Sequence, residues 1–209
     1  MSDDLIYAID TEEALRKLYQ QPSRGAVAKE IRTIDAHCRN FIGLAPFICI
    51  GTMNANGTAD ISPRGGEPGF VHVLSSTRLA IPDRPGNNRL DSMLNIISNP
   101  ATALLFFVPG FEDMLRVNGL ARITTDPALI ARFSFNGRLP ASVMLIEVKE
   151  AQLHCAKAVK RAGLWDPVTF VDRGSFPTAG QVLRDHLGLE TPVAAIDAFV
   201  EKDARERLY

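Results

Sequence analysis

The chain has 209 residues, 46% hydrophobic and 22% charged, which fits one globular domain with a substantial core and leaves no long stretch for disorder. Its 23 basic and 24 acidic residues nearly cancel, so no overall field favours nucleic acid or an anionic membrane, and any anion site must be local. MSDDLIYAID lacks the basic and apolar regions of a signal peptide, and no apolar run approaches the ~20 residues that span a bilayer, which predicts a cytoplasmic protein.

In chain order, TEEALRKLY (residues 11 to 19) predicts a short amphipathic helix capped by Thr11. A second helix is expected over residues 34 to 44, with Ile34, Cys38, Phe41 and Ile42 on its buried side. Cys38, Cys49 and Cys155 are odd in number and lack CxxC spacing, so they read as small apolar residues rather than a disulfide framework or zinc site. From Pro46 the pattern turns to β. FICIGTM and TADISPR flank NANG, and an Asn-Gly pair between extended runs predicts an antiparallel hairpin. FVHVL and RLAIP read as further short strands.

IPDRPGNNRLDSMLNIISNP, residues 81 to 100, runs from a loop into a helix. Pro82, Pro85 and Gly86 hold the first part out of helix. Asn88 is the expected cap, with Asp91 reaching back, and Leu90, Met93, Leu94 and Ile97 form the expected buried face. Arg84 and Arg89 flank the opening of this helix, where unpaired N–H groups and the positive dipole end favour an anion. The same residues also describe an ordinary capped helix with two solvated arginines.

ATALLFFV (101 to 108) reads as a strand buried on both faces. MLRVNGLARIT alternates, with Leu115, Val117, Ala121 and Ile123 on one side and Arg116, Asn118 and Arg122 on the other. DPALIARFS is a short helix capped by Asp126, and ASVMLIEVKEAQLHC is a long strand entering another helix. Six or more mostly antiparallel strands with inserted helices suggest a closed or partly closed barrel. GxGxxG, Walker, HExxH and GxSxG signatures are all absent.

Two further segments carry chemistry. In SPRGGEPGF (62 to 70), Ser62 and Arg64 share one strand face, and a hydroxyl beside a guanidinium suits a phosphate or carbonyl oxygen, although Pro-Arg-Gly-Gly is also simply a turn. In HCAKAVKRAGLW (154 to 165), a helical wheel puts Cys155, Ala158, Val159 and Ala162 on one small-residue face. His154, Lys157, Arg161 and Trp165 form an adjacent stripe, either a solvated basic face or an edge for an anionic ring.

With SPRGGEPGF, IPDRPGNNRLDSMLNI, NPATALLFFVPG, LRVNGLARI and HCAKAVKRAGLWDP in this order, the chain resembles the pyridoxamine 5′-phosphate oxidase-like superfamily over about residues 40 to 167, in its branch of uncharacterised FMN-dependent flavoproteins. The resemblance implies a mainly β, six-stranded antiparallel split barrel spanning 46–167, and the residues on either side of it read as an N-terminal helical layer (1–45) and a C-terminal helical arm (168–209). It implies a homodimer with FMN at the interface and a small-molecule electron donor or acceptor. Ser62, Arg64, Pro82, Asp83, Arg84, Asn88, Arg89 and Lys157 are the implied cofactor-binding residues, with His154, Lys157 and Arg161 near the flavin ring. Met114 stands where the oxidase proper carries a Gln, and residues 176 to 209 lack its Arg and Trp substrate segment, so pyridoxamine phosphate is not the implied substrate. The tail instead reads as two helices interrupted by Pro192 and packed on the barrel or on a partner subunit. The alternatives are a flavin carrier without turnover, or a barrel holding haem or another planar ligand through His37, His72 or His154.

Overall fold

A computed structural model describes residues 7 to 208, so most of the stretch read for a leader lies outside the described residues. Near the N-terminus, α1 (Glu12–Leu18) starts where Thr11 Oγ1 accepts from the Ala14 N–H, as its spacing predicts. A five-residue helix, α2 (Arg24–Ala28), was not legible, because one turn and a half is too short for an apolar period to emerge. In α3 (Ala36–Leu44) the Asp35 carboxylate accepts from Cys38 N at 2.8 Å, and Cys38, Phe41 and Ile42 are buried beside Ile34. Burial pushes the Cys38 thiol up to about 11. Cys155, read as an apolar residue, is exposed.

Seven strands form one sheet: β1 (Phe47–Met53), β2 (Ala59–Gly65), β3 (His72–Ser75), β4 (Arg78–Pro82), β5 (Ala101–Phe107), β6 (Met114–Thr124) and β7 (Val143–His154). Their order is β2-β1-β5-β6-β7-β4-β3, and every neighbouring pair is antiparallel. β2 and β3 end the sheet without pairing to each other, which leaves the barrel split. Among the described residues the strand count is thus seven, matching the strands read one by one from the sequence rather than the six that the resemblance implies. NANG makes its hairpin: Asn54 Oδ1 accepts from Asn56 N and Thr58 N, and Gly57 takes φ +83°.

The core lies inside the rolled sheet, where alternate residues of each strand point inward. Ile48 and Ile50, Leu104 and Phe106, Leu115 and Val117, and Met144 and Ile146 are essentially inaccessible. β5 corrects one expectation. Thr102, Leu104 and Phe106 are buried but Ala101 and Ala103 are exposed, so the strand has one core face only, as antiparallel sheets permit. In β6 the register shifts at Asn118/Gly119, and a Cβ on Gly119 would lie 2.3 Å from the Glu147 carbonyl oxygen, so only glycine admits this approach.

The helix after the proline-rich loop, α4 (Asp91–Ser98), departs from its reading in two ways. Asn88 does not cap it. Asn88 and Leu90 are left-handed (φ 58° and 61°), Leu90 occupies the N-cap with no side-chain hydrogen bond, and Asp91 pairs with Arg89 instead of reaching back. The buried face is also rotated: Ser92, Met93 and Ile96 point inward, while Leu94 and Ile97 are 58% and 75% exposed. Polar contacts to the sheet decide this. Asn95 Nδ2 donates to Thr52 Oγ1 at 3.0 Å, and Ser92 Oγ donates to Asp60 Oδ2, so polar side chains share the docking face with Met93 and Ile96 while Leu94 and Ile97 turn outward.

After β6 come α5 (Pro127–Ala131), capped by Asp126, and after β7 come α6 (Lys157–Ala162), α7 (Ala179–Leu187) and α8 (Val193–Glu206). The last two are the helices expected on either side of Pro192. Among the described residues, no helix is long and apolar enough to cross a membrane.

Candidate functional site

The strand end of β2, the loop after β4 and the start of α4 converge on a cavity of about 770 Å³, within the range that holds a cofactor-sized ligand. Ser62, Arg64, Pro82, Asp83, Arg84, Asn88 and Arg89 all line it. Their convergence follows from topology. β2 is an edge strand whose Ser62 and Arg64 alternate to one side, and the turn after β4 carries the chain across to α4.

Within the cavity the arginines differ. Arg64 Nη1 donates to Pro63 O at 3.1 Å and Nη2 lies 3.5 Å from Ser92 Oγ, while its Nε is buried with no hydrogen-bond partner. Arg84 is anchored: its side chain is 14% exposed, Nη2 meets Glu67 Oε1 at 3.3 Å, Nη1 donates to Phe133 O at 3.2 Å, and the guanidinium lies 5.4 Å from the centre of the Phe135 ring. Arg89 is 73% exposed and held to Asp91 at 2.8 Å. Arg84 thus has a packing role, while Arg64 lines the cavity with weaker ties to the protein.

Two residues missed in the sequence support the site: Ser92 lines the cavity, and Asp60 holds Ser62 and Ser92 from outside its lining. Asp60 Oδ2 accepts from Ser62 Oγ at 3.2 Å and from Ser92 Oγ at 3.4 Å, and Ser92 is buried. Asp60 was legible in principle, two residues from Ser62 on one strand face. Ser92 was not, because it lies on a helix face whose direction only packing sets. The first turn of α4, with no side-chain cap, adds backbone N–H donors and the positive dipole end beside them.

Burial holds the Asp83 carboxyl above the usual carboxylate range, with Arg64 pulling it back. The folded chain then grips this proton more tightly than the unfolded one. The stability from this group is fully present below the ordinary carboxylate pKa and is lost as pH rises through the raised value. Asp83→Asn should therefore raise the melting temperature of the ligand-free protein at pH 8 and leave it unchanged at pH 4, which thermal melts at the two pH values check.

His154, Lys157 and Arg161 do not line the cavity. The helical wheel drawn through them fails, because β7 extends through His154 and only Lys157–Ala162 is helical. Of the expected small-residue face, Val159 alone is buried, and Trp165 Nε1 donates to Phe111 O at 2.7 Å. Burial and the nearby Arg116 lower the His154 pKa. His72 stacks on Phe133 at 4.1 Å, His37 lies on the exposed side of α3, and neither reaches the cavity. Among the described residues, no group of three His, Cys, Asp or Glu side chains is placed to hold a metal ion.

Searching curated proteins returned no match to the chain. Solved structures resemble it at low identity. HupZ of Group A Streptococcus is 17% identical, with 56% of this chain and 91% of that one covered and a TM-score of 0.47. An FMN-binding protein from Syntrophomonas wolfei is 10% identical over 56% of this chain and 83% of that one, at a TM-score of 0.46. General Stress Protein 26 from Bacillus anthracis is 16% identical over 56% and 93%, at 0.42. Residues 34–155, more than half of the chain and including the strands and the helix that build the cavity, match the family model described as pyridoxamine 5′-phosphate oxidase, and the chain belongs to that family.

Proposed function

We propose that the protein is an FMN-dependent oxidoreductase of the cytoplasm that works as a homodimer on a small-molecule electron donor or acceptor. One observation carries the reading: a single cavity gathers the Arg64 guanidinium, whose Nη atoms meet the Pro63 carbonyl at 3.1 Å and Ser92 Oγ at 3.5 Å, with the Ser62 hydroxyl and the start of α4, which no side chain caps. A charged donor, a hydroxyl and free backbone N–H groups are the set that a phosphate monoester needs. Arg64 and the α4 N–H groups would hold the phosphate, with Ser62, Asn88 and Arg89 around it. Pro82, Asp83 and the anchored Arg84 would shape the wall beside them. When bound, FMN supplies hydride or electron transfer through its ring, so the protein need supply no nucleophile.

A second copy completes this reading. The outward side chains Leu94 and Ile97 of α4, 58% and 75% exposed, are apolar groups that one copy leaves to water. Lys157, Arg161 and His154 line no part of their own subunit's cavity, so their proposed place near the ring requires the partner's flavin. Pyridoxamine phosphate is not the proposed substrate, because Met114 replaces the Gln of the oxidase proper and residues 176 to 209 have no counterpart of its Arg and Trp segment.

The visible spectrum of the purified protein tests the cofactor. A flavin spectrum with steady oxidation of a nicotinamide in air supports the enzyme. Bound flavin that no donor reduces would make it a carrier, and a Soret band would replace both readings with haem binding. Leu94→Asp with Ile97→Asp should convert a dimer to a monomer in analytical ultracentrifugation with the fold intact by circular dichroism; an unchanged sedimentation coefficient refutes this interface.

A further inference from the structure

The C-terminal arm touches the cavity at one place. α7 and α8 are locked together where the buried Gly180 donates its N–H to Asp197 Oδ1 at 2.7 Å, and a Cβ at Gly180 would lie 2.5 Å from that oxygen. α8 then delivers Arg207 to the loop that follows β4. The Arg207 guanidinium is divided: Nη1 meets Asp203 Oδ1 at 3.1 Å, and Nη2 donates to the Gly86 carbonyl oxygen at 2.8 Å. Leu208, the next residue, lines the cavity.

That loop has little else to define it. Residues 85 to 90 are all exposed, and Asn88 and Leu90 sit in left-handed conformations that non-glycine residues adopt at a cost. The hydrogen bonds recorded within it are local, from Arg89 N to Asn87 Oδ1 and from Arg89 Nε to Asp91. The bond from Arg207 joins it to an element 121 residues away. Holding the Gly86 carbonyl also fixes the plane of the Gly86–Asn87 peptide, whose N–H must point the opposite way, away from the arm.

We propose that Arg207 is a positioning residue that latches residues 85 to 90 into their ligand-binding shape, and that Leu208 helps to close the same cavity. Release of the arm opens the site. The inference rests on the FMN reading only for the identity of the ligand; the latch itself concerns the protein alone.

The test is hydrogen–deuterium exchange of the full chain with Arg207→Ala, Arg207→Lys and Asp203→Ala, with and without FMN. Loss of the bond should speed exchange in residues 85 to 90 and FMN release by roughly five-fold in Arg207→Ala. Arg207→Lys, which keeps a donor for Gly86, should restore much of both, and Asp203→Ala should alter neither. Unchanged loop exchange in Arg207→Ala overturns the proposal, as does exchange that rises equally throughout α7 and α8, which would mean a melted arm rather than a released latch. A wild-type protein that takes up no FMN would remove the cofactor reading, while loop exchange would still decide the latch.

Discussion

Arg64→Ala is expected to weaken FMN binding roughly 100-fold while leaving the melting temperature of the ligand-free protein nearly unchanged. Hydrogen bonds to charged groups are worth about 1.5–3 kcal/mol each, and a guanidinium lost from a phosphate at the upper end of that range costs about two decades in Kd. The fold loses little. Arg64 donates to the carbonyl of its own neighbour and makes one long contact with Ser92, and its Nε has no protein partner. Flavin titration by fluorescence quenching measures the loss. Arg89→Ala should cost less, roughly ten-fold, because Arg89 is mostly exposed and must leave Asp91 to bind an anion. Full retention of affinity in Arg64→Ala would remove the phosphate from this corner.

Arg84→Ala should give the opposite pattern, a loss of about 2–3 kcal/mol in stability and a fall in melting temperature of roughly 5–10 °C. Breaking a fully buried ion pair costs about 3–5 kcal/mol, and the 39% exposure of the Glu67 side chain discounts that figure. Removing the guanidinium strands Glu67 and leaves the Phe133 carbonyl without this donor. It also takes the cation off the Phe135 ring. Differential scanning calorimetry reads the effect. At a temperature where the variant is folded, its FMN affinity should fall by less than that of Arg64→Ala. A variant with normal stability and no flavin binding would instead make Arg84 the ligand.

The contrast between these arginines shows where sequence reading stops. Arg64, Arg84 and Arg89 all stand near turns and glycines and looked equivalent as anion ligands. Their difference arises from Glu67, seventeen positions before Arg84, and from Phe133, forty-nine after it, which the fold brings together. The same holds for α4. Its i, i+3, i+4 apolar pattern was visible and its span nearly so, but two neutral side chains, Ser92 and Asn95, chose the docking face by finding Asp60 and Thr52 on the sheet. HCAKAVKRAGLW misled for a local reason. A strand that ends in His154 and passes straight into a short helix has no breaker to mark the change, so one helical wheel fitted both.

Taken alone, the sequence determined what depends on near neighbours. The Asn-Gly hairpin, the Thr11 and Asp126 caps, the alternation in β6 and the helices around Pro192 are all set by contacts within a few residues. Its ordered motifs also identified the family. Tertiary structure decided the rest: which face of α4 is buried, which arginine is anchored and which is left to the cavity, and that the C-terminal turn borders the site. Each of these depends on atoms far apart along the chain competing for the same buried hydrogen bonds, and only the folded geometry settles that competition.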